Sequence, residues 1–261
     1  MLPVLARSAP RRPPLPADAG ILPTDVTGLT GWWKADAGTY QDAGSTPATA
    51  DGHGVAWWAD QSGNSRTLRG STTPTLKTGA NGINGLPVIR FDGIDDSLTS
   101  NLAGWTLTNI ITNTEFCCFM VVKAATPGTN AAASYDNDGI VVETSQSWGL
   151  HLKSTGPTFI GYNWDGSDDH ADRTFTAGTV YALRWRHTGG NVSLLRSGTT
   201  EASAASGNTL TLTGSVRLGI SGVANYFDGD VAEIFIYNAQ PSAGQLTGLA
   251  EYITSRYGIT W

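Results

Sequence analysis

The amino-acid sequence predicts an all-β fold, two antiparallel sheets packed face to face with one short C-terminal α-helix. Three observations carry that reading. Glycine accounts for 32 of 261 residues while charged residues make up only 15%, which suits short strands and tight turns better than long solvated helices. Apolar and polar residues alternate, as in Tyr181, Leu183 and Trp185 against Ala182, Arg184 and Arg186, the period of a sheet with one wet face. Gly, Asn, Asp and Pro interrupt the apolar runs every few residues. With 40% hydrophobic residues, the length fits one large sandwich domain.

Residues 1–27 stand apart. Five of the 12 prolines (Pro3, Pro10, Pro13, Pro14, Pro16) fall there, followed by Pro23. Proline fixes φ and donates no amide hydrogen bond, so an extended arm unable to join a sheet interior is expected. Arg7, Arg11, Arg12, Pro13 and Pro14 make it a candidate anchor on a partner subunit of an oligomeric assembly. Residues 28–261 form the sandwich. Strands are expected at 29–35, 55–59, 87–92, 115–123, 139–143, 148–153, 158–164, 179–186, 192–196, 215–220 and 231–237. The run Phe116-Cys117-Cys118-Phe119-Met120-Val121-Val122 is apolar on both faces, as in a central strand covered on both sides. Ser242 with Gln245 reads as a capping box. Leu246, Leu249, Ile253 and Tyr257 then recur at helical spacing before Gly258, a suitable C′ residue.

Cys117 and Cys118 are adjacent. Neighbouring Cα atoms lie about 3.8 Å apart, short of the usual disulfide span, so two buried free thiols are expected. The formal net charge is −6, with four lysines among 16 basic residues and no basic stripe. A nucleic-acid partner is therefore not expected. The apolar start is broken by Pro3 and followed by arginines, unlike an export signal. No stretch approaches the ~20 apolar residues of a membrane helix.

Three segments carry a family resemblance: VAWWADQSGN from Val55, NGINGLPVIRFDGIDDSL from Asn81 and YFDGDVAEIFIYNAQPS from Tyr226. Together they resemble the concanavalin A-like, laminin-G-like jelly-roll superfamily. The resemblance covers roughly residues 28–259 and implies a two-sheet jelly-roll sandwich. That fold hosts lectins, adhesion modules, virion proteins and glycoside hydrolases, so function must come from the site.

The turn at Phe91-Asp92-Gly93-Ile94-Asp95-Asp96 reads as structural, with glycine at positive φ and aspartates bonding nearby amides. The β-glucanase branch has an E-x-D-x-x-E strand that Asp228, Asp230 and Glu233 resemble, which implies nucleophile, pKa-tuning and general-acid roles. A retaining mechanism needs its carboxyls about 5–5.5 Å apart, and the shorter Asp228 spoils that spacing. No nucleophile elbow, zinc motif or phosphate loop occurs, and His53, His151, His170 and His187 lack ligand spacing. The expectation is a non-enzyme without a dedicated metal site. Two loops combine rings with acids: residues 162–170, with Tyr162, Trp164, Asp165, Asp168 and His170, and residues 134–139. With Trp148 as a further exposed ring, they are candidates for sugar, and their oxygens for calcium.

Three function classes follow. The first is a virion component, a bacteriophage head decoration or tail protein that docks through its arm and displays a lectin-like sandwich to host glycans. The second is a free carbohydrate-binding module, and the third a glycosidase of the β-glucanase branch.

Overall fold

A computed structural model describes residues 21–70, 72–111, 115–126, 138–143, 148–153, 156–164, 168–206, 214–222 and 225–261. The arm residues Arg7, Arg11, Arg12, Pro13 and Pro14 lie outside these, as do Asp165 and most of the loop 134–139.

Every strand pairing described is antiparallel, in two large sheets and a small hairpin. The first sheet runs Ala202–Ala205, Asn191–Arg196, Val180–Thr188, Phe116–Ala124, Asp228–Tyr237, Val88–Asp92, Thr75–Lys77, with Leu29–Lys34 paired to the long strand Asp228–Tyr237. The second runs Asp168–Thr174, Thr158–Trp164, Trp148–Leu152, Asp138–Glu143, Val216–Leu218, Leu98–Thr99, Leu68–Arg69, Trp57–Trp58, Thr39–Tyr40. The fold is thus the expected all-β sandwich with a single C-terminal helix among the described residues.

Alternation along the central strand sorts its side chains into two apolar layers. Phe116, Cys118, Met120 and Val122 enter the core between the sheets. Cys117, Phe119 and Val121 enter a second core on the opposite face, which is why this run is apolar throughout. The helix Ala243–Tyr257 supplies Leu249, Tyr252, Ile253 and Tyr257 to that second layer. Its start is held by the expected box: Ser242 Oγ accepts the Gln245 N–H at 3.4 Å, and Gln245 Oε1 accepts the Ser242 N–H at 2.8 Å. Gly258 closes it in the left-handed region at φ 69°.

Residues 21–27 join the same layer. Ile21 packs close to Gly248, Val26 is buried, and the Tyr237 hydroxyl donates to the Pro23 carbonyl at 3.0 Å. Both cysteines are buried free thiols. No helix among the described residues is long and apolar enough to cross a membrane.

Candidate functional site

The three carboxylates of the glucanase-like run lie on the strand Asp228–Tyr237. A bulge changes where the last one points. Val231 pairs with Val122 and Glu233 with Val121, so one extra residue is inserted and Ala232 and Glu233 both turn to the helix side. There Glu233 is 0% exposed. It accepts hydrogen bonds from Trp32 Nε1 (2.5 Å), the Tyr252 hydroxyl (2.7 Å), the Tyr257 hydroxyl (2.6 Å) and Arg256 Nε (3.2 Å). Burial and the Glu233 charge push both tyrosines well above the usual phenol range, so they remain donors. Asp230 is also 0% exposed and is closed by Arg90 (2.6 and 2.9 Å) and Lys123 (2.7 Å). Asp228 is half-buried, accepts from the Thr126 hydroxyl at 3.2 Å, and is raised by burial. Glu233 thus has four protein donors and no opening to solvent, a geometry that joins helix to sheet rather than one that protonates a substrate.

The turn at residues 92–96 has the hydrogen bonds expected of it. Asp92 Oδ1 accepts the N–H groups of Ile94 (2.8 Å) and Asp95 (3.3 Å), and Asp96 Oδ2 accepts the Asp92 N–H (3.1 Å). Gly93 has φ 74°. Burial first, then the charges of Asp92 and Asp95, push the Asp96 carboxyl up to about 6.

The expected binding residues divide. Trp148 is a correction: it is 0% exposed and packs in the inter-sheet core against Trp185 (4.3 Å between centroids) and Phe116 (5.3 Å). Its strand alternates with Leu150 and Leu152 inward, so its parity places it in the core however large its ring. The segment 162–170 is a second correction. Residues 162–164 and 168–170 belong to two paired strands rather than to a loop, with Tyr162 opposite His170 and Trp164 opposite Asp168. Asp168 and Asp169 occupy a polar edge strand, where outward positions tolerate charge. The side chains of Trp164 and Asp168 are outside the described residues.

Tyr162 and His170 are one end of a longer arrangement. Cross-strand pairing links Tyr40, Trp57, Arg69, Thr99, Arg217, the Val142 position, Gly149, Tyr162 and His170 in one unbroken row over nine strands. At ~4.8 Å per strand the row is roughly 40 Å long. Its neighbours Trp58, Leu68, Leu98, Val216, Leu218, Val141, Trp148, Leu150 and Ala171 all enter the inter-sheet core. The row therefore occupies the outer face of the second sheet. The helix covers the other sheet, and the side chains described along the row are all partly exposed.

Local contacts hold the rings. Arg69 lies over the Trp57 indole at 3.8 Å, and Gly44 approaches its other parts. The Gly44 turn is fixed by Asp42, which accepts from Ser45 and Thr46 through both backbone and hydroxyl groups. At the far end Tyr162 meets the buried His151 ring edge-on, with centroids 5.8 Å apart, and His170 Nε2 lies 3.7 Å from Asp172. Sequence reasoning missed Tyr40, Trp57, Arg69, Thr99 and Arg217. The available signal was the WW pair at 57–58: strand neighbours face opposite ways, so with Trp58 inward Trp57 must face out.

No family model and no curated protein matches the chain. Solved structures do. The sialidase of Trypanosoma rangeli, solved with a difluorinated ketodeoxynononic acid, superposes with a TM-score of 0.57 at 14% identity, over 95% of this chain and 36% of that one. Domain 4 of an extracellular arabinanase from Geobacillus stearothermophilus, solved with arabinotriose, gives 0.54 at 15% identity over 86% of this chain and 99% of the domain. The binding domain of Paraclostridial Mosquitocidal Protein 1 gives 0.57 at 12% identity over 88% and 52%. The chain spans about a third of the sialidase and nearly the whole arabinanase domain. What the chain shares with these carbohydrate-active and binding proteins is the β-sandwich fold.

Proposed function

We propose that the protein is a carbohydrate-binding sandwich that holds an oligosaccharide across the outer face of its second sheet, without turning it over. The observation that carries this reading is the transverse row, in which Tyr40, Trp57 and Tyr162 offer partly exposed rings interleaved with polar side chains. Sugar rings present apolar faces to aromatic planes and hydroxyls to polar groups, and a long shallow row suits a chain of them. The ligands named for the sialidase and the arabinanase domain, both saccharides or their analogues, support the class. The engagement of Asp230 and Glu233 in ion pairs and hydrogen bonds supports binding over catalysis. The free module is preferred to virion decoration because the superposing structures are carbohydrate-active and binding proteins.

A glycan array followed by isothermal titration tests it. The wild-type protein should bind a defined set of saccharides, and Trp57→Ala and Tyr162→Ala should each weaken binding about tenfold, ~1.4 kcal/mol. Absence of any saccharide binding, or variants that bind as wild type, would overturn the proposal.

A further inference from the structure

The row carries a charge pattern that a neutral sugar leaves unused. Several arginines are matched to acids, Arg90 to Asp230, Arg184 and Arg186 to Glu201, and Arg256 to Asp36 and Glu233, whereas Arg66, Arg173 and Arg196 donate to backbone carbonyls. On the row, Arg69 and Arg217 lack an acid as well. Among the described residues neither has a carboxylate partner, although acidic residues outnumber basic ones 22 to 16. Each is only partly exposed, so each cation has lost some of its water without gaining a counter-charge.

Their remaining contacts orient them. Arg69 rests on Trp57 and donates one terminal N–H to the Leu102 carbonyl at 2.9 Å, while its Nε is buried without a hydrogen-bond partner. Arg217 donates to the Gly222 carbonyl at 2.6 Å. A guanidinium has five donors in a fixed fork, so both keep donors for a planar anion. Thr99 alone separates them in the row, which sets their strands about 10 Å apart. That is close to the length of two pyranose units in an extended chain.

We infer that the ligand of this face is a carboxylate-bearing oligosaccharide, its acid groups taken by Arg69 and Arg217 and its rings stacked on Trp57 and Tyr162. The inference rests on the carbohydrate reading above. Arginine matches a carboxylate bidentately where lysine cannot, and the small side chain of Thr99 lies between Arg69 and Arg217 in the row.

The test is isothermal titration of the full chain with hexagalacturonate and with sialyllactose, each against its own methyl ester. Esterification removes the charge and keeps the ring. At least one acid should bind about tenfold tighter than its ester, and added NaCl should narrow the gap. Which acid does so separates uronate from sialate recognition. Arg217→Gln and Arg69→Gln should each reduce the preference about threefold, and Arg69→Gln should also weaken ester binding because its guanidinium rests on Trp57. Arg217 makes no contact with Trp57, so Arg217→Gln isolates charge from ring support, and Arg217→Lys should retain part of the preference. Equal binding of acid and ester in both series, or an acid preference surviving both Gln variants, would overturn the inference. If sugars then still bound through Trp57 and Tyr162, the carbohydrate reading would stand. No saccharide binding at all would remove both.

Discussion

The two sheets share one core, and their outer faces have opposite fates. The outer face of the first sheet is buried a second time beneath residues 21–27 and the C-terminal helix, with Phe119, Phe235 and Tyr237 meeting Leu249, Tyr252 and Ile253. Its polar groups are closed among themselves around Glu233 and Asp230. Among the described residues no helix lies over the outer face of the second sheet, where Gly149, His151 and Ile160 are buried but the row ends in partly exposed Trp57 with Tyr40 on one side and Tyr162 with His170 on the other. Asp230 and Glu233 on the covered face have cations, and among the described residues Arg69 and Arg217 on the other face have no acids. Carboxylates thus mark where this fold is fastened, and exposed rings with unmatched arginines mark where it is available.

The largest effect expected from breaking this division is at Glu233. Glu233→Ala leaves the Arg256 guanidinium, two phenols and an indole N–H facing a void, and should cost about 3–5 kcal/mol in denaturant unfolding. The helix should loosen first, and saccharide binding by the protein that remains folded should be unchanged. Binding that vanished while the melting temperature held would put Glu233 in the site and end the division of labour proposed between the faces.

How much of this was legible depended on whether a strand had to bury a face. The run 116–122 announced two buried faces because every position is apolar, and the helix announced itself through Ser242, Gln245 and its stripe. The strands Leu68–Arg69 and Leu98–Thr99 have two residues each, too short for any period to appear. Asp168–Thr174 reads DDHADRT, with Ala171 its only inward apolar residue, so turn-forming composition hid a strand. The row was invisible for a related reason: it is a property of register, assembled from residues far apart in the sequence, Tyr40 and Arg217 among them. Trp148 misled because ring size suggests a binding platform, whereas parity alone decides which face a strand residue occupies.

A third buried carboxylate sharpens the rule that acids here are fastened to cations. Asp96 is 7% exposed with Asp92 and Asp95 beside it and no ion pair among the described residues, and its carboxyl is raised to about 6 by burial and those neighbours. The fold therefore prefers the protonated form. Between the ordinary value near 4 and about 6 the native state holds more proton than the unfolded chain, so stability falls as pH rises through that window and is level above it. Asp96→Asn keeps an oxygen for the Asp92 N–H and removes the charge. It should stabilise the protein by about 1–3 kcal/mol at pH 8 and by nothing measurable at pH 3.5, read from thermal melts across the range. A gain that did not depend on pH would mean the carboxylate is not strained by its surroundings.

The smallest stability effect belongs to the open face, and the WW pair at 57–58 isolates it within one dipeptide. Trp58 is 0% exposed and donates its indole N–H to the Lys34 carbonyl at 3.0 Å; its loss should cost about 3–5 kcal/mol. Trp57 is partly exposed, and its principal partners are the Arg69 guanidinium and the Gly44 turn. A cation resting on a surface ring contributes only about 0.5–1 kcal/mol, so Trp57→Ala should lower stability by about 1 kcal/mol while weakening saccharide binding about tenfold. Parallel melts and titrations of the two alanine variants measure this directly. Were Trp57→Ala as damaging to folding as Trp58→Ala, the ring would be part of the scaffold, and the row would lose the residue that distinguishes an available surface from a merely uncovered one.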